Sequence, residues 1–274
     1  MRVEQQPAYV LHARAYRETS LLLETFTRDH GRVGLVARGV RRERSRWPRG
    51  VLQPLQPLLL GWVATGELGT LTAVDAASAP LSLRGDDLIA AMYVNELVLR
   101  LSQRADAHPR AFALYAQCLA RLGEGDDTAW SLRRFERDLF GELGYGLALA
   151  STAHGEPVDA DADYAYDPDA GALPWRHGSH FPRIAGAALI ALDRDEKPSA
   201  EHLVQLRALM RSVVRQPSFR VTGSRRSTTD AITGRSLRKW LMITMVPPGR
   251  QTRTISVIMR FGSGTTETTW NDVT

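Results

Sequence analysis

Eight arginines fall between Arg28 and Arg49, at positions 28, 32, 38, 41, 42, 44, 46 and 49, against two acids, Asp29 and Glu43. This stretch alone carries +6, whereas the whole chain of 274 residues carries +5. The chemistry on offer is phosphate binding, because the planar guanidinium fork matches phosphate oxygens and also stacks on bases. Trp47 lies among these arginines, with Phe26 and Tyr16 close in sequence. Cations that track phosphates beside aromatics that stack on bases, at about 1 to 3 kcal/mol per base, are what sequence-tolerant single-strand binding uses. Taken one at a time, Phe26 and Tyr16 read better as barrel core than as stacking residues.

A second cationic zone spans 207–253, with eleven basic residues against Asp230, a net of +10 that leaves −11 for everything outside the two zones. Such segregation builds a phosphate-binding face on an otherwise acidic molecule. The residues expected to contact nucleic acid are Arg14, Arg32, Arg38, Arg41, Arg42, Arg44, Arg46 and Trp47 from the first part of the chain. Arg211 and Arg215 are added from the second zone.

Arg133, Arg134 and Arg137 lie within two helical turns of one another, beside Leu132 and Phe140. Arginines interleaved with apolar neighbours often just lay their stems over their own core. The sharper reading is a docking site for an acidic peptide ending in aromatic residues and a carboxylate.

Catalytic chemistry has little footing. Asp159, Asp161, Asp163, Asp167 and Asp169 have the composition of a cation loop but lack the glycine and glutamate an EF-hand needs at its sixth and twelfth positions. His154, His177 and His180 are near, without thiolates or a helical histidine pair to make a zinc site. No GxxxxGK[ST], GxSxG or HExxH occurs. No catalytic residue, metal or cofactor is therefore assigned, and a metal-dependent nuclease using residues 159–169 stands as the rival reading.

Positioning these residues requires a scaffold. Short β-prone runs at 8–14, 21–26, 33–38, 52–63 and 69–78, punctuated by turns such as 27–32, TRDHGR, predict five strands. Five strands in about 80 residues predict a small barrel, most economically an OB-fold. After Pro80 the period changes to helical. Residues 86–104 place Leu88, Met92, Leu97, Leu99 and Leu101 on or near one face with Asp86 as N-cap, and helices follow at 110–122 and 127–142. Residues 151–180 are acidic and loop-rich with room for one or two short strands, and helices resume at 186–192 and 200–215. Residues 236–246 read as a last helix or strand, and the hydrophobic island 256–261 has no evident partner. The fold class is thus α+β: an OB-fold domain over 1–80, a helical domain over 81–245 with the excursion at 151–180, and a tail over 246–274.

With 43% hydrophobic residues the chain can bury a core. Its apolar runs fall short of the roughly 20 residues that span a membrane, which makes a cytoplasmic protein the expectation. Cys118, the only cysteine, excludes an internal disulfide and sits in an apolar helical pattern that predicts a buried small hydrophobe.

The segments AYVLHARAYRETSLLLETFTRDHGRVGLVARGVRR, LQPLQPLLLGW, YVNELVLRL, LRRFERDLFGELGYGL and GEPV closely resemble the bacterial RecO family of DNA repair proteins, over about residues 7–215. The resemblance implies an OB-fold followed by a helical domain. It also implies a recombination mediator that binds single- and double-stranded DNA, anneals complementary strands and works with RecR to load RecA onto strands coated by single-stranded DNA-binding protein. The acidic tail of that coating protein is the peptide expected at Arg133 and Arg134, and association with the nucleoid follows. Some relatives carry a four-cysteine zinc module in the middle loop. Here 151–180 has no cysteine, so no zinc is expected. Near the C-terminus 216–232 departs from the family pattern, and only 234–239, GRSLRK, resembles it.

Overall fold

Alternation along the first strands decides where every side chain goes. In the computed structural model, which describes residues 1–47 and 50–215 and the strands 257–261 and 264–268, β1 (Arg2–Tyr16) pairs antiparallel with β2 (Ser20–Thr27), and β2 with β3 (Gly31–Ala37). Ala8 and Val10 of β1, Leu23 of β2, and Leu35 and Ala37 of β3 fill one core. Their neighbours point outward, as the period of two demands. β4 (Pro57–Thr65) closes on β1, and β5 (Leu68–Ala76) pairs antiparallel with β4 and parallel with β3. The result is a closed barrel in the order β1-β2-β3-β5-β4, the predicted OB-fold.

The strands fall where the pattern put them, with β1 much longer than 8–14 and β4 beginning only at Pro57. Residues 52–55 are a loop instead, and it tucks Leu52 and Leu55 inward. In the β2–β3 turn the Thr27 hydroxyl donates to the Gly31 carbonyl at 2.8 Å. Gly31 has φ +61°, and a Cβ there would overlap the backbone of Asp106, so only glycine lets this turn meet the helical region.

Helices α1 (Gly85–Leu101), α2 (Pro109–Glu124) and α3 (Thr128–Glu142) follow as predicted, within a few residues. Two details differ. The α1 N-cap is Arg84, with Asp86 inside the first turn. The buried face of α1 carries Ala90, Ala91, Val94, Leu97, Val98 and Leu101, while Leu88 and Met92 are 38% exposed. This helix is apolar over most of its surface, so periodicity alone could not choose the face.

The excursion contains two short strands, β6 (Asp163–Asp167) and β7 (Gly171–Pro174), and β8 (Arg183–Ala185) just beyond it pairs with the other side of β6 to complete a three-stranded sheet, from which α4 (Gly186–Asp193) and α5 (Ala200–Arg215) lead back to α3. The chain divides into units Met1–Arg220 and Val221–Thr274. In the second, β9 (Val257–Phe261) pairs antiparallel with β10 (Gly264–Thr268), so the hydrophobic island finds its partner in the threonine-rich segment just after it. Residues 236–246 lie outside the described residues.

Barrel and helices share a core. Tyr9, Leu11 and Phe26 point out of the barrel into the helical cluster, where Tyr9 lies 5.5 Å from Phe112 and 4.9 Å from Tyr115 between ring centroids. Phe26 meets the same two rings. Cys118 is buried in this cluster, and burial pushes its thiol up to about 12, which keeps it protonated and inert. Among the described residues no helix is long and apolar enough to cross a membrane.

Candidate nucleic-acid interface

The outward face of β1, β2 and β3 has two ends. At one, Tyr9, Phe26, Glu24 and Arg32 meet the helices; at the other, Arg14, Tyr16 and Arg38 stand exposed or half-buried. Arg32 and Arg38 share this face but lie six residues apart, roughly 20 Å along the strand direction. That separation divides the expected arginines into two groups.

Arg32 belongs to the helical end. Its guanidinium donates to the carbonyl of Leu99 and, at 3.0 Å, to that of Ser102, at the C-terminal end of α1 where carbonyls lack helical partners. Glu24 lies 3.7 Å from its Nε and also accepts from Arg104. Arg32 thus ties the barrel to α1.

At the far end the chain leaves β3 and turns at once. Gly39 has φ +71°, Arg42 N donates to the Gly39 carbonyl at 3.2 Å, and Arg41 N donates to the Thr19 carbonyl at 3.0 Å, so the basic loop is pinned against the β1–β2 turn. A cleft of about 640 Å³ opens there, lined by Tyr16, Arg17, Glu18, Ser20, Arg38 and Arg42 among others. A second, of about 390 Å³, is lined by Arg38, Gly39, Arg42, Arg44 and Arg46. Sharing Arg38, Gly39 and Arg42, the two form one continuous cationic depression.

Trp47, expected among the DNA contacts, does something else. It is 7% exposed in the barrel core, its Nε1 donates to the Arg38 carbonyl at 2.9 Å, and Arg46 lies 4.4 Å from its ring centroid. The indole anchors the basic loop to the barrel rather than offering a face to a base. Tyr16 is not among the expected contacts, because an aromatic at the end of a β-prone run looks like core. Here Tyr16 is half-buried on the cleft wall, opposite Ser20 in register, with Arg17 5.3 Å from its centroid.

Arg211 and Arg215 sit in the last turns of α5 and line neither cleft. Arg211 is half-buried; burial, then the charges of Arg215 and Arg133, hold its guanidinium below the usual arginine range.

The expected peptide site on α3 resolves into internal contacts. Arg133, 6% exposed, donates to Glu136 at 2.8 Å, and the Tyr93 hydroxyl donates to the same oxygen at 2.5 Å. Burial holds the Glu136 carboxyl above the ordinary range, with Arg133 pulling it back. Arg134 pairs with Asp195, and Arg137 reaches Asp195 at 3.0 Å and the Leu192 carbonyl at 2.6 Å. Phe140 is fully buried and Leu132 partly so. Arg134 and Arg137 thus fasten α3 to the end of α4 and to Asp195 just beyond it, while Arg133 is held within α3 by Glu136, which Tyr93 ties to α1. A buried ion pair and an exposed one read identically in sequence.

The aspartates of the excursion do not converge. Asp159 and Asp167 each accept from the backbone amide two residues on, at 3.0 and 2.9 Å, and Asp163 pairs with Arg183. Among the described residues no three histidine, cysteine, aspartate or glutamate side chains are placed to hold a metal ion.

Two family models match consecutive parts of the chain. The family model described as Recombination protein O N terminal matches residues 1–80, and the one described as Recombination protein O C terminal matches residues 83–238. A protein of Stenotrophomonas maltophilia named DNA repair protein RecO is 40% identical over 253 residues, covering 91% of this chain and 100% of that protein. Proteins of the same name from Ralstonia nicotianae and Burkholderia lata are 44% and 42% identical, each over 77% of this chain and over 78% and 76% of their own lengths.

Proposed function

The chain belongs to the recombination protein O family, whose members are DNA repair proteins, and we propose that it is a recombination mediator. In this reading it binds single- and double-stranded DNA and anneals complementary strands without nucleotide or metal. With RecR it helps load RecA onto strands coated by single-stranded DNA-binding protein, in the cytoplasm at the nucleoid. The acidic tail of the coating protein remains a proposed partner of the helical region, with none of Arg133, Arg134 or Arg137 assigned to it.

One observation supports DNA binding above the rest: the continuous depression at the open end of the barrel, walled by Arg38, Arg42, Arg44 and Arg46 and fixed by Trp47 beneath it. Phosphate neutralisation by several arginines releases counterions, so affinity falls steeply with salt. The test is binding and annealing of complementary oligonucleotides in chelator, across a salt series. Annealing with a steep salt slope supports the proposal, and salt-independent binding refutes it. The rival reading, a metal-dependent nuclease using residues 159–169, is tested on the same substrates incubated with Mg²⁺ or Mn²⁺: intact strands support the mediator and degradation supports the nuclease.

A further inference from the structure

The two joined cavities differ in chemistry, and the difference assigns each a part of the ligand. The smaller is lined by four arginines and a glycine, which suits anionic groups such as the phosphates of a strand. The larger adds Tyr16, Glu18, Thr19 and Ser20 to Arg17, Arg38 and Arg42. A carboxylate there repels phosphate, whereas it accepts hydrogen bonds from the exocyclic amino groups of bases. Tyr16 supplies the stacking surface, and the Arg17 guanidinium 5.3 Å from its centroid shows that a planar partner already reaches this ring. Arg17 does so from a left-handed backbone, φ +53°, that a non-glycine residue adopts at a cost.

We infer that the larger cavity is a base-binding site, taking one unpaired nucleotide with its base against Tyr16 and its edge toward Glu18 and Ser20, while the adjoining phosphates run along Arg38, Arg42, Arg44 and Arg46. This deepens the DNA-binding reading and rests on it. A paired base keeps its face inside the stack, so the site adds affinity for single strands beyond what the phosphate contacts give either form of DNA, and it gives the annealing reaction a place where a base is held ready while its neighbours pair.

The test compares full-length protein binding to a single-stranded oligonucleotide of mixed sequence and to a fully abasic strand of equal length and charge. Wild type should favour the base-bearing strand by roughly ten-fold or more, the weight of one stacked base. Tyr16→Ala should bring the two affinities together without changing the salt slope, and Tyr16→Trp should keep the preference; Tyr16→Leu replaces Tyr16→Ala if thermal melting shows the alanine protein unfolded. A wild type that binds both strands equally, or a Tyr16→Ala protein that keeps the preference, overturns the base site and leaves the phosphate interface intact. Failure to bind either strand instead removes the DNA-binding reading beneath it.

Discussion

Asn95 on α1 reaches across to the barrel and donates to the carbonyl of Leu11 at 2.6 Å. Its other side-chain atom accepts from the Tyr115 hydroxyl at 2.9 Å, and all of this is buried. β1 has its bulge here, between Val10 and His12, which turns the Leu11 side chain outward into the helical core. The bulge removes Leu11 from regular pairing, and Asn95 satisfies it. Two domains that sequence patterning separates at about residue 80 are therefore one mechanical body at this seam.

Replacing Asn95 by alanine should leave the Leu11 carbonyl and the Tyr115 hydroxyl buried without these partners, at about 1 to 3 kcal/mol for each stranded group. Chemical denaturation of Asn95→Ala should show a lowered midpoint with one cooperative transition. Two separated transitions would mean that barrel and helices unfold independently and that the seam is weaker than its hydrogen bonds suggest.

The Arg133–Glu136 pair leads to a second prediction. Nη2 donates to Oε1, and Nε lies 2.7 Å from Oε2. Removing one partner of a buried pair strands the other charge and costs about 3 to 5 kcal/mol, whereas replacing both by groups of similar shape can be nearly neutral. Arg133→Met should therefore destabilise strongly, and Arg133→Met with Glu136→Gln should recover most of the loss, the glutamine still accepting from Tyr93. Thermal melts of the three proteins decide this. If Arg133→Met melts like wild type but loses an acidic tail peptide, the docking role returns to α3.

Asp127 caps α3, accepting from the Trp130 amide at 2.8 Å, and pairs with Lys197 at 2.8 Å. The Lys197 hydrogen bond first, then the Trp130 amide, hold its carboxyl below the ordinary range. A carboxyl depressed on folding stabilises the protein above its unfolded value, near 3.9, and loses that contribution as pH falls through the folded one. Asp127→Ala should cost about 1 kcal/mol at neutral pH, as cap removal does. The gap between the two proteins should narrow below pH 4. A gap independent of pH would mean that the cap acts through geometry rather than charge.

How much of this was legible in sequence depends on whether a residue's role is local. The strands, the helices and the basic loop follow from local patterns, and Thr27 to Arg32 announced its turn. The partners of charged residues are not local. Arg32 and Arg38 are equivalent in sequence, yet one meets Leu99 and Ser102 while the other walls a cleft, because the carbonyls that engage Arg32 lie 67 and 70 residues away. Trp47 is buried and Tyr16 lines the cleft for the same reason. An indole beside arginines looks like a stacking platform until the Arg38 carbonyl is seen to take its N–H.

The same contrast supplies the prediction that best separates scaffold from interface. Arg32→Ala strands the Leu99 and Ser102 carbonyls and leaves Glu24 with Arg104 alone, so it should lower the melting temperature by several degrees. DNA affinity of the folded fraction and its salt slope should stay at the wild-type value. Arg42→Ala, on an exposed loop residue shared by both cavities, should leave the melt unchanged. It should weaken single-strand binding and reduce the salt slope by about 0.7, the share of one phosphate contact on a single strand. Measuring melts and salt-dependent affinities on both proteins gives a two-by-two outcome. If Arg32→Ala reduces the slope as well, the interface extends to the helical end of the barrel face and the division at roughly 20 Å is wrong.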